Sequence, residues 1–408
     1  MKRYVVGGVG VAGLVVLGGL AWLFNSLVLA WATTLFVVAL IAGTAFYRKF
    51  RQRFATSSSH TTSHSTATKP AVESHATDDV DPGVDDSQDL AELMLKQGRY
   101  TLLLRPQIAE SIPSQVLTRA QQMLDDEMTL VPSGETIVGK GMNDSADLPE
   151  HLDGRVVHVE GFYLDRYQVT NDQFQRFVDA GGYEQLALWD PEIVPAILEF
   201  VDSTGISGPR YWKNGTYLSG QANHPVVGVC WYEAAAYARW VGKRLPTDPE
   251  WVKSGSWPVP LPGARPIQRK FPWGEAFDQN KTNLWGSGRG GTAPVDEFTD
   301  GMSVGGAHQL IGNVWEWTSS RFGAWQSGAN PLVLDASMRS VRGGAFDTYF
   351  EAQASCDFQS GDKAVARKRN IGFRCAIGLC DLIPDESMQA EETPAQVETH
   401  EEFAEVTQ

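Results

Sequence analysis

The most apolar part of the chain lies at its start, where residues 4–47 contain no charged side chain. About 20 apolar residues cross a membrane once. This stretch therefore predicts two membrane helices, with Asn25 and Ser26 at the turn between them. A single long span and a cleaved signal peptide are the alternatives, although the apolar core of a signal takes only about 7–15 residues. We predict that residues 1–54 form a membrane anchor of two helices.

The charges that flank this stretch predict its orientation. Lys2 and Arg3 precede it, and a run of basic residues follows it at positions 48–53. Because positive charge marks the cytoplasmic side, two helices would leave both ends in the cytoplasm. We therefore expect an inner or plasma membrane protein whose soluble domain is cytoplasmic. A single span would instead place that domain on the other side.

Polar and amphipathic patterns divide the rest of the chain. Residues 55–89 are rich in Ser, Thr, His and Asp without apolar periodicity, which predicts a disordered linker. Residues 90–128 have apolar side chains at helical spacing and predict a short helical preface. We expect the main domain at residues 129–382 and an acidic, disordered tail at residues 383–408.

Helix and strand signals are mixed within the main domain. Alternating burial is expected for residues 162–169, which predicts a strand. Thr170 with Gln173, and Thr247 with Glu250, have the spacing of capping boxes and predict the starts of two helices. Strands and helices do not alternate regularly as they do in βαβ units, and this favours the α+β class.

Composition excludes some classes of function. The formal net charge of −15 disfavours nucleic-acid binding, because phosphate contacts need clustered Lys and Arg. The four cysteines form no CxxC pair and no zinc-finger spacing with histidines. We therefore predict neither a nucleic-acid partner nor a structural zinc site.

Nine segments of the main domain occur in an order that is typical of one family. They are residues 128–139, Asp-Arg-Tyr-Gln-Val-Thr-Asn at 165–171, His-Pro-Val-Val-Gly-Val at 224–229, Gly-Lys-Arg-Leu-Pro-Thr at 242–247, Glu-Trp at 250–251, Phe-Pro-Trp-Gly-Glu at 271–275, Gly-Asn-Val-Trp-Glu-Trp-Thr at 312–318, Arg-Gly-Gly at 342–344 and Gly-Phe-Arg-Cys at 372–375. The domain resembles the formylglycine-generating enzyme (sulfatase-modifying factor) family. The resemblance implies a variant of the C-type-lectin-like fold.

The resemblance does not extend to the chemistry of that family. In its cysteine-dependent oxidases, a serine and two cysteines follow Arg-Gly-Gly, and the thiolates bind copper to convert a sulfatase cysteine into formylglycine. The matching positions here are Ala345, Thr348 and Gln353. Because Cu(I) prefers thiolates, we predict no copper and no formylglycine synthesis by this mechanism.

The other metals of the family have weaker or partial support. One branch holds iron through an HxxxH-type motif, but His60 and His64 lie in the linker, and we predict no iron. The resemblance also implies a structural calcium ion held by oxygen ligands, which suit Ca²⁺. The implied ligands are Gln309, Gly312, Val314 and Glu316. The alternative is that Glu316 pairs with a buried arginine or with backbone amides.

The family's disulfides are also incomplete. The resemblance places cysteines at positions 238 and 255, where this chain has Ala238 and Gly255, and the first of them would pair with Cys375. A domain without these disulfide bonds is compatible with a reducing compartment. This favours a cytoplasmic location for the soluble domain.

We weigh three functions for such a domain. The first is a non-catalytic binding or scaffold module, whose groove would hold a protein or peptide partner. The second is an oxidase or protein-modifying enzyme with a non-standard site, for instance Asp347, His308 or Cys356 with a metal. The third is a structural subunit of a membrane complex. The groove residues of the first hypothesis, which we favour, are Trp315, Phe346, Asp347, Thr348 and Tyr349.

Overall fold

The computed structural model describes residues 82–139, 154–324 and 337–383 of the chain. The predicted membrane anchor, most of the predicted linker and nearly all of the predicted acidic tail lie outside these residues. No helix within the described ranges is long and apolar enough to cross a membrane.

The described α-helices form two groups along the chain. Four precede the first strand and three lie within the main domain. They are α1 (Pro82–Lys96), α2 (Tyr100–Leu103), α3 (Pro106–Ala109), α4 (Ser114–Glu127), α5 (Asn171–Asp179), α6 (Trp231–Trp240) and α7 (Asp248–Ser256).

Helix α1 begins earlier than the sequence analysis predicted. Its first residue, Pro82, lies within the segment 55–89 that we expected to be a linker. Proline is compatible with the first helical turn, and the helix is anchored further along by Ala91 and Leu95, which are buried. The helix therefore covers residues 82–89 of the predicted linker.

The strands are short and pair over long sequence distances. They are β1 (Met128–Val131), β2 (Gly134–Val138), β3 (Arg155–Val159), β4 (Phe162–Asp165), β5 (Val259–Leu261), β6 (Ala264–Ile267), β7 (Trp315–Arg321), β8 (Met338–Arg342), β9 (Ser360–Lys363), β10 (Ile371–Phe373) and β11 (Ala376–Gly378).

Two sheets organise the main domain, and both depend on its C-terminal strands. One sheet has the order β1-β4-β11, and all its pairs are antiparallel. The other has the order β10-β7-β8-β9, in which only β10 and β7 are parallel. The pairs β2-β3 and β5-β6 form separate two-stranded sheets. The mixture of helices and mainly antiparallel strands confirms the predicted α+β class.

The helical preface packs directly on the three-stranded sheet. Leu95, Tyr100 and Leu124 share a buried cluster with Tyr163 of β4 and Ile377 of β11. Helices α1 to α4 belong to the same compact unit as the sheets. The preface is therefore part of the folded domain, and the boundary that we predicted at residue 129 does not separate two bodies.

Aromatic rings fill the core between α5, α6 and β10. Phe174 stacks on Tyr237 with 5.4 Å between ring centroids, and Phe177 meets Trp240 edge-on at 5.7 Å. Phe373 of β10 meets Tyr237 at 5.5 Å. Such ring pairs add about 0.5–1.5 kcal/mol each beyond the burial of their area, so this cluster fixes α5 and α6 to the second sheet.

Both predicted capping boxes are confirmed. The amide of Gln173 donates to the Thr170 hydroxyl at the start of α5, and that of Glu250 donates to the Thr247 hydroxyl at the start of α7. The strand predicted for residues 162–169 ends at Asp165, because the following residues leave the sheet and join the buried polar network described below.

One buried cysteine, Cys375, is the implied disulfide partner of position 238, and another, Cys356, lies beside position 255. Cys356 and Cys375 are fully buried, and none of the four cysteines is in a disulfide. Gly255 of α7 lies beside Cys356, since a Cβ atom at residue 255 would be 2.9 Å from its sulfur. A side chain at position 255 would therefore face the Cys356 thiol.

We expect the substitution Gly255→Cys to produce a disulfide with Cys356. A Cβ atom at residue 255 would lie 3.8 Å from Cys356 Cβ, and disulfides have a mean Cβ separation of about 3.8 Å. Air oxidation should cross-link the variant and raise its free energy of unfolding by about 2–4 kcal/mol. Mass mapping of a non-reduced digest detects the bond.

Ser254→Cys is the matched control for this experiment. Ser254 is the preceding residue of α7, and its hydroxyl donates to the Glu250 carbonyl, so its side chain faces a different direction. A cross-link from position 254 but not from position 255 would contradict the packing of α7 against Cys356.

Candidate functional site

Two glycine turns bring the candidate site together at the ends of β7 and β8. Gly312 and Gly343 both have positive φ, and a Cβ atom at either would clash with backbone oxygen atoms of a neighbouring segment. The Gly312 amide donates to the Gly343 carbonyl over 2.9 Å. The Phe346 amide then donates to the Asn313 carbonyl over 3.0 Å. These contacts place the residues after Arg-Gly-Gly beside the start of β7.

A tight turn follows, and it uses two of the positions that hold the serine and a cysteine in the family's oxidases. The Ala345 amide donates to the Thr348 hydroxyl, and the Thr348 amide donates to the Ala345 carbonyl, both over 2.8 Å. Both side chains are buried. The Thr348 hydroxyl thus stabilises the turn, and its place in a groove remains a prediction.

The donor set at this turn does not fit copper. Positions 345, 348 and 353 supply a methyl group, a hydroxyl that already accepts a hydrogen bond, and an amide. The nearest thiol in sequence, Cys356, packs in the core beside Gly255 and Leu310. Because Cu(I) needs soft sulfur ligands, these residues support no step that passes through a copper centre.

Two of the predicted groove residues contact Asn370, and a third lies under the neighbouring Arg369. The Trp315 amide donates to the Asn370 carbonyl over 2.9 Å, and the Asn370 side-chain amide donates to both carboxylate oxygens of Asp347, at 3.0 and 3.2 Å. Phe346 is buried under Arg369, whose guanidinium carbon lies 5.6 Å from the ring centroid. Asp347 and Arg369 are exposed, so this edge presents one acidic and one basic group to solvent.

The fifth predicted residue, Tyr349, belongs to an exposed aromatic patch with Trp285 and Phe350. These three side chains are 65%, 59% and 63% exposed, respectively. Tyr349 meets Trp285 at 5.0 Å and Phe350 at 5.2 Å between ring centroids, both edge-on. The Trp285 amide donates to the Thr348 carbonyl over 3.2 Å, which joins the patch to the tight turn.

Sequence reasoning missed Trp285, Phe350 and Asn370. Phe350 adjoins the predicted segment, and an exposed Tyr-Phe pair after a turn was a usable signal. Trp285 and Asn370 come from distant loops, and no local pattern indicates which loops meet at the turn.

Glu316, a predicted calcium ligand, is fully buried and already saturated. Its Oε1 accepts from Arg374 at 2.7 Å and from Gln168 at 2.9 Å, and its Oε2 accepts from Arg374 and from the Trp251 indole, both at 2.8 Å. A guanidinium charge therefore occupies the position beside the carboxylate. This is the ion pair that the sequence analysis gave as the alternative to calcium.

The other predicted calcium ligands differ in whether their oxygen atoms already accept hydrogen bonds. Gln309 donates its side-chain amide to the carbonyls of Pro294 and Glu297, whereas its buried Oε1 accepts no hydrogen bond from the described residues. The Gly312 carbonyl accepts from the Val314 amide. The ligand set as a whole does not fit a cation while Arg374 holds Glu316, and calcium remains a prediction.

The residues of the alternative metal hypothesis do not converge. His308 lies against the Tyr167 ring at 4.7 Å, and burial together with the nearby Arg374 and Arg166 lowers its pKa. Asp347 is at the exposed edge and Cys356 is in the core. Across the three described ranges, no three His, Cys, Asp or Glu side chains are grouped as metal ligands.

Comparison with known proteins identifies the family of this domain. The sulfatase-modifying factor enzyme 1-like domain, FGE-sulfatase, matches residues 113–379. The chain belongs to the FGE-sulfatase family. The match begins at residue 113, directly before α4, in agreement with the packing of the helical preface on the FGE-sulfatase domain.

The relatives of this FGE-sulfatase protein include enzymes and a protein that is named as inactive. Hercynine oxygenase of Mycolicibacterium smegmatis is 36% identical over 215 residues, which are 50% of this chain and 48% of that protein. Formylglycine-generating enzyme of Thermomonospora curvata is 29% identical, covering 63% and 95%. Inactive C-alpha-formylglycine-generating enzyme 2 of Bos taurus is 30% identical, covering 62% and 88%. The chain thus spans about half the length of the hercynine oxygenase.

Among solved structures, PvdO from Pseudomonas aeruginosa is similar with a TM-score of 0.42 and 22% sequence identity. The similarity covers 62% of this chain and 94% of PvdO.

The substitution Arg374→Met should destabilise the FGE-sulfatase domain strongly. It would leave the Glu316 carboxylate buried without a cation, and breaking a buried pair in this way costs about 3–5 kcal/mol. Denaturant unfolding measures the change in the free energy of unfolding. Arg119→Met is the control, since Arg119 pairs with Glu92 at the surface and should cost at most about 1 kcal/mol. Equal effects of the two substitutions would contradict the central role of this pair.

Proposed function

We propose that this FGE-sulfatase domain is a non-catalytic binding module that holds an extended peptide segment of a protein partner. The observation that carries the proposal is the aromatic patch of Trp285, Tyr349 and Phe350. It lies at the turn where the family's oxidases have their cysteine pair, and in this chain the thiols are replaced. Clustered exposed aromatic side chains are characteristic of protein-binding surfaces.

The neighbouring edge defines the chemistry of the peptide. The exposed Asp347 carboxylate is held by the neutral amide of Asn370, so its negative charge is not neutralised by that contact. A basic residue of the partner could pair with it, while an adjacent apolar side chain packs on Tyr349 and Phe350. We therefore expect the bound segment to contain an aromatic or large aliphatic residue close to a lysine or arginine.

The relatives allow both a catalytic and a non-catalytic reading. Hercynine oxygenase and formylglycine-generating enzyme are named as enzymes, which supports the alternative that this chain is an enzyme with a non-standard active site. The bovine relative is named as inactive, and the donor set at positions 345, 348 and 353 favours the same reading for this chain.

Loss of two side chains of the aromatic patch should weaken peptide binding. Peptides selected on the full-length chain from a random library should be enriched in the aromatic-basic pattern. The double substitution Tyr349→Ser with Phe350→Ser should weaken their binding by roughly 30-fold, since central aromatic residues contribute about 2 kcal/mol or more. Fluorescence anisotropy with a labelled selected peptide measures the dissociation constant.

The control is Leu198→Ser, which removes another exposed apolar side chain that is 69% exposed. We expect it to leave binding unchanged. A random selection that enriches no peptide, or equal affinities for the wild type and the double variant, would overturn the proposal. Incubation with copper, oxygen and a cysteine peptide tests the enzymatic alternative, and conversion of the cysteine to an aldehyde in the mass spectrum would decide for it.

We also propose that residues 1–54 anchor this module in the membrane as two helices, with the module in the cytoplasm. The support is the uncharged stretch at residues 4–47 and the basic residues on both of its sides. A green fluorescent reporter fused to the C-terminus should be bright, whereas alkaline phosphatase at the same place should be inactive. The reverse result would indicate a single span and would contradict this orientation.

A further inference from the structure

A cavity lies away from the aromatic patch, where the end of α7 meets β2 and the β5-β6 hairpin. Its volume is about 490 Å³, and it opens to the surface. We name it the Lys253 cavity after the one lysine in its lining. Its walls are mainly apolar and are rich in proline, and they include Val131, Pro132, Trp257, Pro258, Pro260 and Pro266.

Lys253 is buried in the wall of this cavity, with 5% of its surface exposed. Its ammonium group donates to the carbonyls of Pro132 and Gly134. An ammonium has three N–H donors, and the described residues accept from two of them. The third donor is therefore available to a ligand in the cavity.

Among the described residues, Lys253 has no acidic partner within 4 Å, unlike the other buried cations. Lys243 pairs with Asp165 at 2.7 Å, Arg342 with Asp248 at 2.9 Å, and Arg374 with Glu316 at 2.7 Å. In these pairs the acidic partner offsets the cost of burying the cation, which is high for an uncompensated charge. The ammonium of Lys253 has only backbone carbonyls to offset this cost.

The electrostatics of the cavity agree with this arrangement. Burial lowers the pKa of Lys253 to about 8, and the distant charge of Glu160 opposes that shift only in part. An anion beside the ammonium would supply the missing compensation. The protein therefore gains stability from an anionic ligand at this position.

The walls restrict the anion to a small apolar one. Proline rings and the Trp257 indole offer flat apolar surfaces and few polar groups. Trp257 has a left-handed backbone with φ of 42°, and its amide donates to the Lys253 carbonyl over 2.9 Å. Glu135 also lines the cavity, and its charge disfavours a second negative group on the ligand.

We propose that the Lys253 cavity binds a small apolar monocarboxylate, with its carboxylate at the ammonium of Lys253 and its apolar body against the prolines and Trp257. This site is independent of the peptide-binding function proposed above, because it shares no residue with the aromatic patch.

Phenylacetate is a suitable probe, titrated into the full-length chain by calorimetry. We expect saturable binding that Lys253→Met weakens at least roughly tenfold, since hydrogen bonds to charged groups contribute about 1.5–3 kcal/mol. Lys270→Met, which changes an exposed lysine, should leave the affinity unchanged. Phenethylamine has the same ring with a cationic group and should not bind.

The pH dependence gives a second readout. Only the ammonium form pairs with a carboxylate, so affinity should be full below the free protein's Lys253 pKa of about 8 and fall about tenfold per pH unit above it, until the raised pKa of the complex is reached. The titratable groups that face Lys253 are Glu135 and Glu160.

Stability without ligand separates binding from a structural role. If Lys253 serves the ligand, Lys253→Met removes an uncompensated buried charge and should keep or raise the free energy of unfolding. A large loss of stability in this variant would mean that the lysine holds the β2 backbone in place. That loss, a lack of phenylacetate binding to the wild type, or equal binding to Lys253→Met would each overturn the proposal.

Discussion

The ion pair between Glu316 and Arg374 connects most of the domain. Glu316 lies in β7 and also accepts from Trp251 of α7 and from Gln168 beyond β4. Arg374 lies between β10 and β11 and donates to the carbonyls of Asp165, Arg166 and His308. Both side chains are fully buried. Because each donor and acceptor is used, the pair joins both sheets, α7 and two loops without leaving an uncompensated charge.

Asn313 extends this network toward the candidate site. Its side-chain amide donates to Gln168 and to the Ala293 carbonyl, and its oxygen accepts from the Ala293 amide and from Asn283. Its backbone carbonyl accepts from Phe346. The position of the tight turn therefore depends on a buried amide whose hydrogen bonds are all satisfied. Strands of three to seven residues need such side-chain contacts, since their own ladders are short.

The sequence predicted those parts of the structure that depend on neighbouring residues. The capping boxes at Thr170 and Thr247 were correct because both partners lie three positions apart. The start of α1 was missed because it depends on Ala91 and Leu95 packing against distant residues. The same reason explains why Trp285 and Asn370 were missed at the site. Lys253 gave no signal at all, since a lysine on a helix is ordinarily solvated, and only the fold shows that it is buried without an acid.

The buried frame uses none of the positions that hold the serine and the cysteines in the family's cysteine-dependent oxidases, so the frame does not depend on the residues at those positions. The buried network consists of Gln168, Asn313, Glu316 and Arg374, none of which occupies positions 345, 348 or 353. Replacement of the thiols therefore removes no support from the frame. Thr348 even contributes to it, because its hydroxyl accepts from the Ala345 amide and so closes the turn. A turn held in this way presents Tyr349 and Phe350 to solvent in a fixed position, as the proposed binding of a peptide requires.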